Sequence, residues 1–176
     1  MRVISGKFKG RKFQAPSNIR ARPTTDMARE GLFNVLNQKI DLDGLTVLDL
    51  FAGTGSVSLE FLSRGAEHVT AIDMDLTSKK HLEKVKKNWG LTNLKVVKAN
   101  AFSLAKKANQ AFDLVFADPP YSHKKFEEIP EIIMESGWLR DDSLFILEHS
   151  DAFDFSSRKN FLEHRNFGNV NFSLFQ

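Results

Sequence analysis

The stretch Asp118-Pro119-Pro120-Tyr121 closes the apolar run FDLVFA with a carboxylate, two residues that lack backbone N–H groups, and an aromatic ring. Proline fixes φ and removes a donor, so the stretch can neither continue a sheet ladder nor open an ordinary helix. It can hold one carboxylate, one carbonyl and one ring in a stiff arrangement. Asp-Pro also starts plain turns, so this segment alone leaves a turn and a reactive site equally open.

A second chemistry-bearing stretch is DLFAGTGSVSLE, residues 49–60. Gly53 and Gly55 allow a sharp turn and a close approach of backbone to ligand, in a strand–turn–helix setting that suits a nucleotide-like cofactor. The third glycine of the dinucleotide fingerprint is missing, because Ser58 occupies its place. Asp49, ending the strand ahead of the loop, points to a cationic or hydrogen-donating ligand instead of a pyrophosphate. Asp73 ends the next apolar run where an acid that reaches ribose hydroxyls is expected, with Asp75 as a competitor. Asn100 holds the corresponding position after the third run. It suits either a contact to a base edge or a plain loop start.

These residues need a scaffold, and the pattern from Thr46 onward supplies one. TVLDLF, HVTAIDMD, LKVVKAN and FDLVFADPP read as short buried strands. SVSLEFLSRG and SKKHLEKVKKNWG read as helices closed by Gly65 and Gly90. This alternation predicts an α/β fold, a parallel sheet with helices on both faces. In such a sheet the first and fourth strands are neighbours at the switch point where ligands bind, so the glycine loop and Asp118 share one crevice. A helical stretch near 126–136, a fifth strand SLFILEHS, and two strands turning at Gly168-Asn169 follow. Upstream, the segment RPTTDMAREGLFNVL enters a helix at Thr24 or Thr25, and VISGKFKGRKFQA alternates apolar and basic residues around Gly6 and Gly10 as a small hairpin.

The chain reads as one domain over 1–176, with residues 1–22 as a basic hairpin arm and 23–176 as the core. At 41% hydrophobic residues it can bury a full core, and no apolar run approaches a membrane span. Cysteine is absent and the five histidines stand singly, so neither a disulfide framework nor a metal site is expected. A cytoplasmic protein fits this usage. Residues 1–29 carry eight basic residues against Asp26 alone, a net of +7, while the remainder, 17 basic and 21 acidic, sums to −4. Lys7, Lys9, Arg11, Lys12, Arg20 and Arg22 thus form a footprint suited to nucleic acid. The lysines between Lys79 and Lys87 lie on a helical pattern and read as a solvated face.

DLFAGTGSVSLE together with FADPPY resembles the S-adenosylmethionine-dependent methyltransferases that modify exocyclic amino groups of bases. RPTTDMAREGLFNVL, LSRGAEHV, LEHS and RNFGNVNFSLF are similar, more specifically, to the bacterial 16S rRNA guanine-N2 methyltransferases, from Arg2 to Phe175. The resemblance implies a Rossmann-like class I fold, with a seven-stranded, mostly parallel sheet, a C-terminal antiparallel hairpin and an N-terminal β-hairpin. It implies S-adenosyl-L-methionine held by Asp49, Phe51, Gly53, Gly55, Asp73, Asn100, Ala101 and Asp118. Catalysis falls to Asp118, Pro119, Pro120 and Tyr121, with Tyr121 stacked on an unpaired base, and no metal is needed. The implied partner is ribosomal RNA within an assembled or assembling small subunit, met by a monomer. Three positions depart from the family pattern: Met27 replaces a basic residue, Asn100 an acid and Phe167 a tyrosine. An adenine-N6 methyltransferase lacks room here for a separate target-recognition domain. An RNA-binding protein with a vestigial cofactor site has no reason to keep all five of Asp49, Gly53, Gly55, Asp73 and Asp118. An NAD-dependent oxidoreductase is disfavoured by Ser58.

Overall fold

The structure is a computed structural model that describes residues 1–19 and 24–176. Its elements are α1 (Asp26–Lys39), β1 (Thr46–Leu50), α2 (Ser56–Ser63), β2 (His68–Asp73), α3 (Leu76–Trp89), β3 (Leu94–Lys98), α4 (Ala101–Ala105) and β4 (Phe112–Ala117). A 3-10 turn at Phe126–Glu128 then leads into α5 (Ile129–Met134), β5 (Leu139–His149), β6 (Phe161–Phe167) and β7 (Val170–Phe175). The seven strands lie in the order β3-β2-β1-β4-β5-β7-β6, with β5–β7 and β7–β6 antiparallel and the other pairs parallel. This is the expected class I architecture, and β1 pairs directly with β4 through Asp49↔Phe116.

Alternation along the strands builds two cores. Val47, Val69, Leu114, Phe116 and Ile146 face the layer of α1, α2 and α3. Leu48, Leu50, Val115, Ala117 and Leu147 face α4 and α5. Side chains two apart in a strand share a face, so Asp49, in one row with Phe116 and Ile146, and Asp118 and Glu148, two residues beyond those, all point toward the α1–α2 layer.

The helices start where local chemistry allows. Thr25 caps α1 by accepting from the Ala28 N–H, and Asp26 places negative charge in the first turn. Asp75 caps α3 in the same way, and Gly90 closes it at φ +65°. Every residue of α2 is buried, including its four polar ones. Three of those hold the chain elsewhere: Ser58 donates to Asp49, while Glu60 and Ser63 bind the amino-terminal arm.

That arm is a narrow hairpin with a single antiparallel bridge, Arg2↔Lys12, flanked by Val3 N–H to Arg11 O and Phe13 N–H to Met1 O. Glu60 accepts from the Ile4 and Ser5 amides, and Lys7 N–H bonds Ser63 O. Val3 and Phe13 are buried in the core. The arm is therefore an integral part of the domain.

Two elements differ from the sequence reading. Strand β5 begins at Leu139 rather than near Ser143, because Leu139 pairs with Phe112 across a register shift, with Asp142 at φ +64°. Its charged start, Arg140-Asp141-Asp142, hides it from a hydrophobic pattern. Helix α4 has five residues, too few to show a helical period.

Candidate active site

The loop after β1 turns tightly. Phe51 sits at φ +64°, Gly53 at +53° and Gly55 at +76°, a left-handed run that only glycine adopts without strain at its last two positions. The two glycines act differently. The Gly53 N–H donates to Asp73 Oδ2 at 2.8 Å, tying the loop to the end of β2. At Gly55 an added Cβ would lie 2.1 Å from Leu82 of α3, so this glycine serves helix packing as well as the turn. The sequence reading gave both glycines to the sharp turn and to ligand approach; the closeness of Leu82 adds a packing reason at Gly55.

Asp73 and Asp75 are told apart by their partners. Asp75 Oδ1 accepts from Thr77 N–H as the α3 cap. Asp73 takes one backbone N–H on each oxygen, Gly53 on Oδ2 and Asp75 on Oδ1. Each oxygen keeps a second lone pair for a hydroxyl. Asn100 spends its Oδ1 on Ser103 N–H as the cap of α4, with Ala101 buried behind it. Phe51 meets Phe102 edge-on, and Phe102 stacks on His123 at 4.3 Å, forming an aromatic wall beside the loop. Sequence spacing gave no sign of Phe102 or His123.

A crevice between the loop and β4 is lined by Asp49, Gly53, Thr54, Asp118 and, from the entry to α1, Thr24. Asp49 is buried and accepts from the Ser58 hydroxyl, so the residue in place of the third fingerprint glycine anchors the acid ahead of the loop. Burial pushes the Asp49 carboxyl up to about 7, against the Ser58 bond and helped by the charge of Asp73. Asp118 is raised well above the ordinary carboxyl value by burial, then by the charges of Glu148 and Asp49. Glu148, buried at the end of β5, is raised to about 7 by burial, against a 2.9 Å bond from the Thr24 hydroxyl. Among the described residues no cation lines the crevice. A site of this kind suits a ligand that brings positive charge and repels a pyrophosphate.

Asp118 itself is held by its N–H to Leu50 O. Among the described residues its carboxylate accepts no hydrogen bond, and neither does the Pro119 carbonyl, whereas Pro120 O accepts from His123 N–H. Tyr121 is exposed and meets Phe126 edge-on at 5.6 Å. Two unclaimed acceptors in succession beside an aromatic ring fit an amino group with two N–H bonds.

The basic arm lies along α3. Arg11 stacks over Trp89 at 4.4 Å and donates to Asn88 O. Lys12 shares a groove of about 690 Å³ with Lys80 and Lys84. Lys7 and Lys9 are exposed, and Arg20 and Arg22 lie outside the described residues. The structure thus brings part of the arm beside lysines that read in the sequence as a separate solvated face. Of the departures from the family pattern, Phe167 packs on Gly31 of α1, where an added Cβ would lie 2.3 Å from its ring, and Met27 is exposed.

The family model described as "Conserved hypothetical protein 95" matches residues 1–176. The chain is 38% identical, over 84% of its length and 74% of the relative's, to "Ribosomal RNA small subunit methyltransferase D" of Escherichia coli. It is 32% identical to the protein of the same name in Haemophilus influenzae, across 100% of this chain and 93% of that one. The solved structure "Putative methyltransferase yhhF from Escherichia coli" superposes with a TM-score of 0.87 at 34% identity, covering 100% and 97% of the two chains. By full-length match, identity and fold, the chain belongs to the family of the small-subunit rRNA methyltransferase D proteins.

Proposed function

We propose that this protein methylates the exocyclic N2 of a guanine in small-subunit ribosomal RNA, using S-adenosylmethionine. The family relationship supports methylation of small-subunit RNA. An exocyclic amino target rests on one observation, the Asp118 carboxylate in the crevice beside the glycine loop followed by the Pro119 carbonyl, both unclaimed among the described residues. The choice of guanine N2 follows the family resemblance.

The residues fit the cofactor. Asp73 offers lone pairs to ribose hydroxyls, and the acidic crevice at Asp49 and Asp118 suits a molecule carrying an ammonium and a sulfonium. Phe51 lines that crevice, and the resemblance assigns Asn100 and Ala101, at the start of α4, to the cofactor as well. The bound cofactor supplies an electrophilic methyl group. An aromatic amino group is a poor nucleophile, because its lone pair is delocalised into the ring. Asp118 and the Pro119 carbonyl accept its two N–H bonds and draw the nitrogen toward a tetrahedral shape. The Asp118 carboxylate takes the amino proton released when the cofactor's methyl group is transferred to the nitrogen. Its raised pKa makes it a ready acceptor at that moment. Pro120 stiffens the segment, and Tyr121 stacks on the flipped or unpaired base. Lys7, Lys9, Arg11 and Lys12, continued by Arg20 and Arg22, contact RNA phosphates. The protein acts as a monomer on protein-bearing subunits.

The test is to incubate unmodified small subunits with protein and labelled cofactor, digest the RNA, and identify the methylated nucleoside. N2-methylguanosine at a single site is expected. Label on adenine N6, or none on RNA, would overturn the reading.

A further inference from the structure

Glu148 is an acid without an assigned role. It is the penultimate residue of β5, one strand beyond Asp118 and on the side away from the glycine loop, since the strand order runs β1-β4-β5. Its side chain shares a face with those of Asp118 and Asp49. It is 4% exposed, yet among the described residues no cation pairs with it. Among the described residues its side chain has one hydrogen bond, from the hydroxyl of Thr24 to Oε2, and Thr24 itself lines the crevice; Oε1 accepts nothing there. A buried carboxylate held on one oxygen, with the other unclaimed and no countercharge, is costly as a purely structural device.

Its position gives that oxygen a use. With the cofactor on the β1–β2 side and the target amino group on Asp118, the rest of the base extends over the end of β5. Guanine carries a second donor, N1–H, next to its amino group. Adenine carries a lone pair at the ring nitrogen adjacent to its own amino group. We propose that Glu148 reads the N1–H of the target guanine, so that Asp118 and Glu148 accept from neighbouring donors on one edge of the base. The Thr24 hydroxyl holds the carboxylate in place by occupying its other oxygen. Adenine, turning a lone pair toward this carboxylate, is repelled. This inference rests on the guanine-N2 reading and adds the residue that selects the base.

The test uses small-subunit RNA carrying either guanine or 2-aminopurine at the methylated nucleotide. 2-Aminopurine keeps the amino group but presents a lone pair at N1. The wild-type protein should methylate guanine at least 10- to 100-fold faster, because a site built for a donor rejects an analogue lacking it. Glu148→Gln is nearly isosteric, keeps an acceptor for Thr24, and can turn its amide to donate to N1. It should narrow that ratio to within several-fold. The 2-aminopurine base also lacks O6, but that difference is common to both proteins and cancels when their ratios are compared. Glu148→Asp, which keeps the charge on a shorter stem, should preserve the preference for guanine while slowing both reactions. Equal guanine to 2-aminopurine ratios in wild type and Glu148→Gln would overturn the inference and leave Glu148 as a tie for Thr24. Methylation of adenine by the wild type would instead sink the guanine reading before any variant is made.

Discussion

Buried charge meets helix α2 at two places, two residues apart. At Glu60 the carboxylate is fully enclosed and every oxygen is claimed: Ile4 N–H at 2.8 Å on Oε2, Ser5 N–H at 3.0 Å and Arg64 Nε at 2.8 Å on Oε1. Arg29, also fully buried, lies 4.0 Å away and is paired with Asp26. At Ser58 the helix instead holds Asp49, the first of three acids with Asp118 and Glu148, between which no cation intervenes among the described residues. The first group neutralises itself and fastens the amino-terminal arm to the domain. The second buries like charge: burial first, and then neighbouring carboxylates (Asp73 at Asp49, Glu148 and Asp49 at Asp118, Asp49 at Glu148), raise the pKa of all three of its members. A fold keeps the first arrangement for stability, and the second only where a ligand brings the missing positive charge or hydrogen donors.

If that contrast is right, damage at the two groups must separate activity from stability. The largest effect is expected at Asp118. Asp118→Ala should lower single-turnover methyl transfer by roughly 10²–10³ or more, the scale of losing one preorganised polar group, while the protein stays folded. Asp118→Asn keeps an acceptor and should lose less. Near-normal turnover in the alanine variant would reduce Asp118 to a turn residue. At the other group, Glu60→Gln removes the charge that compensates Arg29 and should destabilise by about 3 kcal/mol, lowering Tm by roughly 6–12 °C. Cofactor affinity of the folded fraction should be unchanged. An unaffected Tm would show that the charge of Glu60 is dispensable and that Val3, Phe13 and the Ser63 bonds hold the arm.

The two groups were unequally legible in the sequence. Asp49, Asp73 and Asp118 stand at strand ends in a repeated pattern, so position alone exposes them. Glu60 and Arg29 lie inside helices, at positions that no motif or spacing rule singles out as a buried ion pair. The Ile4 and Ser5 amides that bind Glu60, and the Arg2 carbonyl that accepts from Arg29, are far away in the chain. Glu148 and Thr24 fall within segments that carried the family resemblance, RPTT and LEHS, but the bond joining them spans residues that no local pattern can pair. The strands and long helices were readable because periodicity is a local property. Helix α4, the early start of β5 and the Phe102–His123 stack were not, since tertiary contacts alone define them.

Asp73 sits between the two kinds of site, because its oxygens hold backbone as well as facing the space for ribose. Asp73→Ala should weaken adenosylmethionine binding by about 1.5–3 kcal/mol, the range for charge-assisted hydrogen bonds. Asp73→Asn, which retains one acceptor for the Gly53 N–H, should recover part of that loss. Calorimetric titration separates the outcomes. Equal affinity in wild type and alanine variant would remove Asp73 from the cofactor site and confine it to holding the loop.

The smallest effect is also the one that distinguishes the two groups most directly, because it has the opposite sign. The Glu148 carboxyl is raised by burial to about 7, against roughly 4.3 in an unfolded chain. Between those values the folded state binds more protons than the unfolded state, so this group makes stability fall as pH rises through that window. Below it, a neutral Glu148 costs nothing; above it, the fold carries an ionised acid beside Asp118 and Asp49. Glu148→Gln removes that burden and keeps an acceptor for the Thr24 hydroxyl. The variant should therefore gain stability relative to wild type, by about 2 kcal/mol more at pH 8 than at pH 5. Urea unfolding of both proteins at the two pH values measures it. Glu60→Gln, by contrast, should lose stability at both. If Glu148→Gln gave no gain at pH 8, the ionised Glu148 would have to be compensated within the fold, and the acids around Asp118 would then obey the same rule as the ion pairs around Glu60.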